Sequence, residues 1–253
     1  MTILELYESL NTRIPASLSC DWDNDGLMCC PDPNRPARRV LVCLDATAPM
    51  IDKAIAEGFD VILTHHPLVF HKLPALDPRD HVARRLIRLT QAGIAVMSFH
   101  TRLDALSGGV NDALAARLGL LEVAPCGEGG IGRIGHLPAP VSLSEFADAV
   151  KAALGVPCVV AADAGVPVYR VAVLGGNGSD DVRSMEAVGA DTYLSGEIAA
   201  HHLTDAPERG MNLIAAGHFH TENPVCEVLA EMVRASDAAI ETVIENSNPI
   251  RVF

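Results

Sequence analysis

Two hydrophobic rhythms alternate along the chain. Short apolar runs such as "RVLVC", "VILT" and "AVMS" are each followed by a stretch whose apolar residues fall three and four apart. The runs have the length and Val, Ile and Leu content of buried strands, and the spaced stretches have the period of helices with one buried face. "TILELYESL" puts Ile3, Leu4, Tyr7 and Leu10 at helical spacing and predicts an opening helix. "APMIDKAIAEGF" predicts a helix ending at Gly58, "DHVARRLIRLTQAG" another, and "GGVNDALAARLG" one entered through glycines. Strand, crossover helix and strand in this order favour a parallel or mostly parallel sheet.

The texture changes at residues 124–135, "APCGEGGIGRIG", where five glycines weaken any continuous helix or strand interior. This segment reads as a boundary or a long crossing loop. Beyond it, Ser142 or Ser144 can cap a helix carrying Phe146, Ala147, Val150 and Leu154. "VYRVAVLGG", "ADTYLSGE" and "GMNLIAAGHFHTE" supply three more strands, "NPVCEVLAEMVRA" a late helix and "AIETVIENSN" a closing strand. The expected fold class is α/β: two α/β domains with mostly parallel or mixed sheets, the second inserted into the first. Residues 1–125 form the first portion, 126–215 the smaller inserted domain, and 216–253 a return that completes the first.

Charge narrows the partners. The 253 residues hold 32 Asp and Glu against 19 Lys and Arg, a formal charge of −13, and the basic residues form no stripe that neutralises phosphates. No stable nucleic-acid partner and no membrane are therefore expected. No apolar run reaches membrane-span length, and "MTILELYESL" lacks the basic and apolar blocks of a secretory signal, so the expected location is cytoplasmic. Seven cysteines without a CxxC pair, two of them adjacent as Cys29 and Cys30, read as free thiols in a reducing compartment, with a ligand or redox role as the alternative.

Polar residues gather beyond four predicted strands: His65 and His66 in "THHPLVF", His100 and Asp104 in "HTRLD", Glu197, His201 and His202 in "SGEIAAHH", and His218, His220 and Glu222 in "GHFHTE". Imidazole nitrogen and carboxylate oxygen suit divalent Zn, Fe, Mn, Co or Ni. The carboxyl ends of parallel strands open onto one crevice, where such clusters converge. If both are extended, His65 and His66 point different ways, which suits two neighbouring ions. With a helix starting near Thr221, His218 just before it and Glu222 in its first turn reach a common centre. His65, His66, Asp104, His218 and Glu222 then form five ligands around a dinuclear site with positions left for water and substrate. The competing reading has each histidine closing its strand with a backbone hydrogen bond. For Glu197, His201 and His202, an accessory site or subunit contact stands against a solvated helix face.

The ordered set "WDNDGLMC", "LTHHPLVF", "FHTRLDALSGGVNDALAARLGL", "GIGRIGHL", "GADTYLSGE" and "GHFHTE" resembles the dinuclear metal-centre family of GTP cyclohydrolase I type 2 homologues across nearly the whole chain. The resemblance implies a two-domain α/β protein, a ring-like homohexamer, and two divalent metal ions per subunit facing an internal cavity. It matches His65, His66, Asp104, His218 and Glu222 to metal ligands, and His100 to a site histidine that need not be a ligand. His100 is the candidate catalytic acid or base; the alternative is that it only orients a ligand. The family commonly has Asn where this chain has Arg102, and Thr where it has Ser195. The first departure implies a cation near the entrance; the second keeps a hydroxyl.

The expected function is a dinuclear metal-dependent hydrolase resembling GTP cyclohydrolase I type 2, directing water at a nucleotide or phosphorylated small-molecule substrate. The alternative is a non-enzymatic metal-binding interaction or metal-carrier protein. "LGGNGSDD" lacks a dinucleotide fingerprint and a Walker lysine and reads as a plain turn, with an anion cradle of exposed backbone N–H groups as the alternative. The lone Trp22 reads as core or loop packing rather than a base-stacking platform.

Overall fold

The structure, a computed structural model, describes residues 1–246 and 248–251. The chain divides into two units, the first made of Met1–Leu103 and Cys226–Ile250, the second of Asp104–Val225. The opening helix Ile3–Arg13 starts at Thr2, whose Oγ1 accepts from Glu5 N at 3.2 Å while Glu5 Oε2 accepts from Thr2 N at 2.8 Å. This reciprocal cap satisfies two backbone donors that the first turn leaves open. The helix buries Ile3, Leu6 and Leu10, each contributing about 1.5–3 kcal/mol of hydrophobic stabilisation.

Strands β1 (Gly26–Cys29), β2 (Arg39–Cys43), β3 (Val61–Thr64) and β4 (Ala95–Ser98) follow. β2, β3 and β4 run parallel, and β1 pairs antiparallel with β4. Every residue of β3 and β4 is buried. That is the pattern of central parallel strands covered on both faces, which explains why their sequences are runs of apolar residues rather than alternations. Helices Ala48–Glu57 and His81–Ala92 make the crossovers, the first ending at Gly58 as the pattern predicts. Leu41, Ile51, Phe59, Ile62, Leu89 and Val96 pack together in one core.

The second unit contains β5 (Leu121–Cys126), β6 (Gly132–Val141), β7 (Val160–Ala162), β8 (Val168–Asn177), β9 (Thr192–Glu197) and β10 (Asn212–Ala215), in the spatial order β5-β6-β8-β9-β10-β7. β8, β9 and β10 are mutually parallel, and the remaining pairs are antiparallel. Alternation along β8 sends Val171 and Val173 into one core with Phe146 and Val150, and Ala172 and Leu174 into another with Met185 and Tyr193. The helix Leu143–Leu154 is capped by Ser142, one of the two serines the sequence offers.

The chain then returns through the helix Val225–Ser236 to β11 (Glu241–Ile244), which pairs parallel with β2 and completes the first sheet. The protein therefore has two α/β domains with mixed sheets, the second inserted into the first. One local reading changes. The glycine-rich residues 124–135 are not a crossing loop but the turn and flanks of the β5–β6 hairpin. "GLMC" forms the edge strand β1. Among the described residues, no helix is long and apolar enough to cross a membrane, and no disulfide joins the cysteines.

Candidate metal centre

In the first unit, three parallel neighbours end in chemistry: Asp45 follows β2, His65 and His66 follow β3, and His100 follows β4. Adjacent parallel strands carry these residues to the same end of the sheet. His65 and His66 do not extend β3. His66 N still donates to the Leu44 carbonyl at 3.0 Å, but Thr64 Oγ1 donates to the His66 carbonyl at 2.7 Å and the backbone bends at the pair. The two imidazoles consequently lie on one side, with ring centroids 4.9 Å apart, and His100 stands 5.3 Å from His65 and 5.8 Å from His66. One donor atom from each of the three lies within 4.8 Å of the others.

The orientation of each ring is set by an oxygen on Nδ1. The partners are the Phe99 carbonyl for His65 at 2.9 Å, Asp45 Oδ1 for His66 at 2.8 Å, and Asp23 Oδ1 for His100 at 2.8 Å. These oxygens are acceptors, so Nδ1 carries a proton in each ring and Nε2 is the nitrogen that a metal would use. Asp23 is itself fixed, accepting at Oδ2 from Thr101 N at 3.0 Å and Thr101 Oγ1 at 2.6 Å. Burial works against ionisation of Asp23, but the hydrogen bonds from Thr101 and His100 together outweigh it and hold the carboxyl below its usual range. Asp23 is thus an ionised acceptor at neutral pH.

The second unit repeats the arrangement with β8, β9 and β10. His218 and Glu222 occupy a short helix of their own, His218–Glu222, rather than the start of the following one. Their four-residue spacing puts them on one face, with His218 Nε2 3.1 Å from Glu222 Oε2. Glu197, at the end of β9, accepts from His218 Nδ1 at 2.8 Å, the same ring-orienting contact as in the first unit. Asp104 lies on the helix Thr101–Ala105, where its carbonyl accepts from Asn111 Nδ2 at 3.3 Å. His201 and His202 sit on the helix Ala200–Arg209 with their rings 4.0 Å apart, and neither joins the His218–Glu222 pair. Burial, then the neighbouring His201, push the His202 pKa down.

"LGGNGSDD" is the backbone that makes room for this pair. Gly176 has φ +68°, and a Cβ there would collide with the Glu222 carboxylate. A Cβ on Gly196 would stand 2.5 Å from the Gly176 carbonyl and 2.7 Å from His218 Cα. Gly176→Ala is expected to destabilise the fold by on the order of 2–4 kcal/mol, from left-handed backbone strain and overpacking together. Chemical denaturation checks the stability, and the histidine NMR signals should show His218 displaced. The first unit's imidazoles should be unchanged.

The two ends share a chemistry: imidazoles held by oxygens, with a buried carboxylate beside one of them. Such donors fit divalent Zn, Fe, Mn, Co or Ni and disfavour soft thiolate-seeking ions. A family profile described as Duf34/NIF3 (NGG1p interacting factor 3) matches residues 1–249. The chain belongs to the Duf34/NIF3 family. Among its relatives, a GTP cyclohydrolase 1 type 2 homolog of Clostridium perfringens is 31% identical over 252 residues, 96% of each chain. The NIF3 homolog of Schizosaccharomyces pombe is 32% identical over 84% of each. A crystal structure of a Staphylococcus aureus hypothetical protein superposes with a TM-score of 0.90 at 25% identity, covering 100% of this chain and 99% of that one.

Within this NIF3-family chain, sequence reasoning missed Asp23 and Asp45. Their signals were present as acids in "WDNDG" and immediately beyond the "RVLVCL" strand, but nothing local says that Asp23 will meet a histidine 77 residues away or Asp45 one 21 residues away. Arg102 is not at an entrance. It is 1% exposed, donating from Nε to Asp25 Oδ2 at 2.9 Å and from Nη1 to Asn11 Oδ1 at 2.6 Å, with its guanidinium over the Phe99 ring. Ser195 keeps its hydroxyl for the Gly176 carbonyl, at 3.2 Å. Trp22, read as packing, is 65% exposed.

Proposed function

We propose that the protein is a metal-dependent hydrolase in which His65, His66, Asp104, His218 and Glu222 hold two divalent ions, Zn, Fe, Mn, Co or Ni. The observation that carries this reading is the oxygen on Nδ1 of His65, His66, His100 and His218, which leaves Nε2 as the coordinating nitrogen of each ring. Three of the four orienting oxygens are side-chain carboxylates, those of Asp45, Asp23 and Glu197, whereas histidines that only close strands would bond to backbone. Bound divalent ions supply Lewis-acid polarisation and lower the pKa of water. His100 moves the proton: Asp23 holds Nδ1–H, leaving Nε2 to accept from water and return the proton to the leaving group. The substrate class is a nucleotide or another phosphorylated small molecule, whose negative charge the ions offset in an otherwise acidic protein. The assembly is a cytoplasmic homohexamer; a monomer mass in light scattering overturns that part.

Elemental analysis after loading with each of these metals should find about two ions per chain; none with any of them overturns the assignment. Turnover across a nucleotide and phosphoester panel should depend on the metal. Ions held without turnover would favour the non-enzymatic metal-binding or carrier alternative. Asp45→Ala removes the oxygen on His66 Nδ1 and should weaken metal affinity by about 10–100-fold while leaving the fold intact. Competition with a chelator measures it, and affinity equal to wild type removes Asp45 from the site.

A further inference from the structure

Three rings meet at right angles in the first unit. Trp22 stands 6.1 Å from Phe70 and 6.2 Å from His100, Phe70 stands 6.0 Å from His100, and the interplanar angles are 68°, 76° and 86°. Edge-to-face pairs at these distances are in contact and attract one another. The cluster is therefore a braced platform, not an open cage, and His71 supports its outer side 4.8 Å from Phe70. Yet Trp22 is 65% exposed and Phe70 42%. Both rings are thus partly open to solvent beside the histidine that belongs to the imidazole trio.

The exposure is not that of a loose loop. Cys20 N donates to Thr101 Oγ1 at 2.9 Å, Asp23 N to the Cys20 carbonyl at 3.0 Å, and the Asn24 side-chain amide to the Val69 carbonyl. Asp23 adds its bonds to His100 and Thr101. Trp22 is thus held from both sides, and the segment carrying Phe70 is tied to it through Val69. A large apolar ring presented to water on a fixed backbone loses little further freedom when a ligand stacks on it, which favours binding.

We propose that the exposed indole of Trp22, braced by Phe70 and His100, is a stacking platform for a flat aromatic heterocycle on the substrate. A purine or pyrimidine ring seated there lies beside His100, with its phosphate or sugar portion directed to the imidazoles. The platform rests on the hydrolase reading for what happens next to His100 and narrows its substrate to compounds carrying a base. Every base has a π-face, so the platform selects aromatic over non-aromatic phosphorylated compounds without choosing among bases.

Trp22 is the single tryptophan of the chain, so its fluorescence reports this position alone. With metal-loaded protein, GMP and AMP should quench the emission saturably and ribose 5-phosphate should not. By calorimetry, Trp22→Ala should raise the GMP Kd at least about fivefold, and Trp22→Phe should stay near wild type, because stacking contributes roughly 1–3 kcal/mol per base. The metal content of all three proteins should be equal. An unchanged Kd in Trp22→Ala, ribose 5-phosphate bound as tightly as GMP, or no nucleotide binding overturns the platform. So does a buried, unquenchable indole in a protein that dissociates on Trp22→Ala, which would mean a second copy covers it. Absence of metal is scored separately: it overturns the hydrolase reading, while the quenching still tests the stack.

Discussion

His65→Ala is expected to remove one of the two ions and abolish turnover. His65 is fully buried and its ring is fixed by the Phe99 carbonyl, so its donor atom is held in place before a metal arrives. Losing a ligand should exceed the roughly 10–100-fold cost of losing a group that merely orients one. His65→Gln keeps a polar group for the Phe99 carbonyl and serves as the folded control if the alanine variant is unstable. Metal stoichiometry and the calorimetric affinity of the loaded proteins check the result. Two ions bound with wild-type affinity in both variants would falsify the ligand assignment.

Arg102→Met should have the largest effect on stability, a loss of about 3–5 kcal/mol. The substitution fills most of the volume but leaves the Asp25 carboxylate, whose side chain is 7% exposed, without its cation, and it removes donors from Asn11 and the Ile14 carbonyl. Urea unfolding measures the loss. Arg102→Met combined with Asp25→Leu should recover much of it, because a buried ion pair replaced on both sides by apolar groups is often neutral. The double variant should still be catalytically impaired, since Asp25 Oδ2 also accepts from His100 N at 3.2 Å. A single variant within about 1 kcal/mol of wild type would show that water reaches the carboxylate.

Much of the fold could be read along the chain because its elements are locally consistent. The run "VILT" has no helical period, "DHVARRLIRLTQAG" has no strand period, and each ends in residues that stop it. The candidate residues were legible for a related reason. Histidines and carboxylates at strand ends are few, and parallel strands fix which end they share. The hairpin at residues 124–135 was not legible. Five glycines suppress the propensity signal of a strand, and the pairing with β8 that stabilises β6 comes from residues about 40 positions later.

Arg102 and Trp22 show where local pattern fails in opposite directions. A lone arginine in a site motif looks exposed until Asp25 and Asn11, far away in sequence, close around it. A lone tryptophan looks buried until the loop bonds that hold it in water are counted. Composition, periodicity and strand-end chemistry by themselves determined the α/β class and which side chains carry metal-type donors, while the insertion rests on the pairing of β11 with β2. The tertiary structure alone decided which oxygen faces each imidazole, that His65 and His66 lie on one side, and that an indole is presented beside His100. Periodicity encodes which face a residue takes within its own element. Hydrogen-bond partners across tens of residues exist only once the chain has closed.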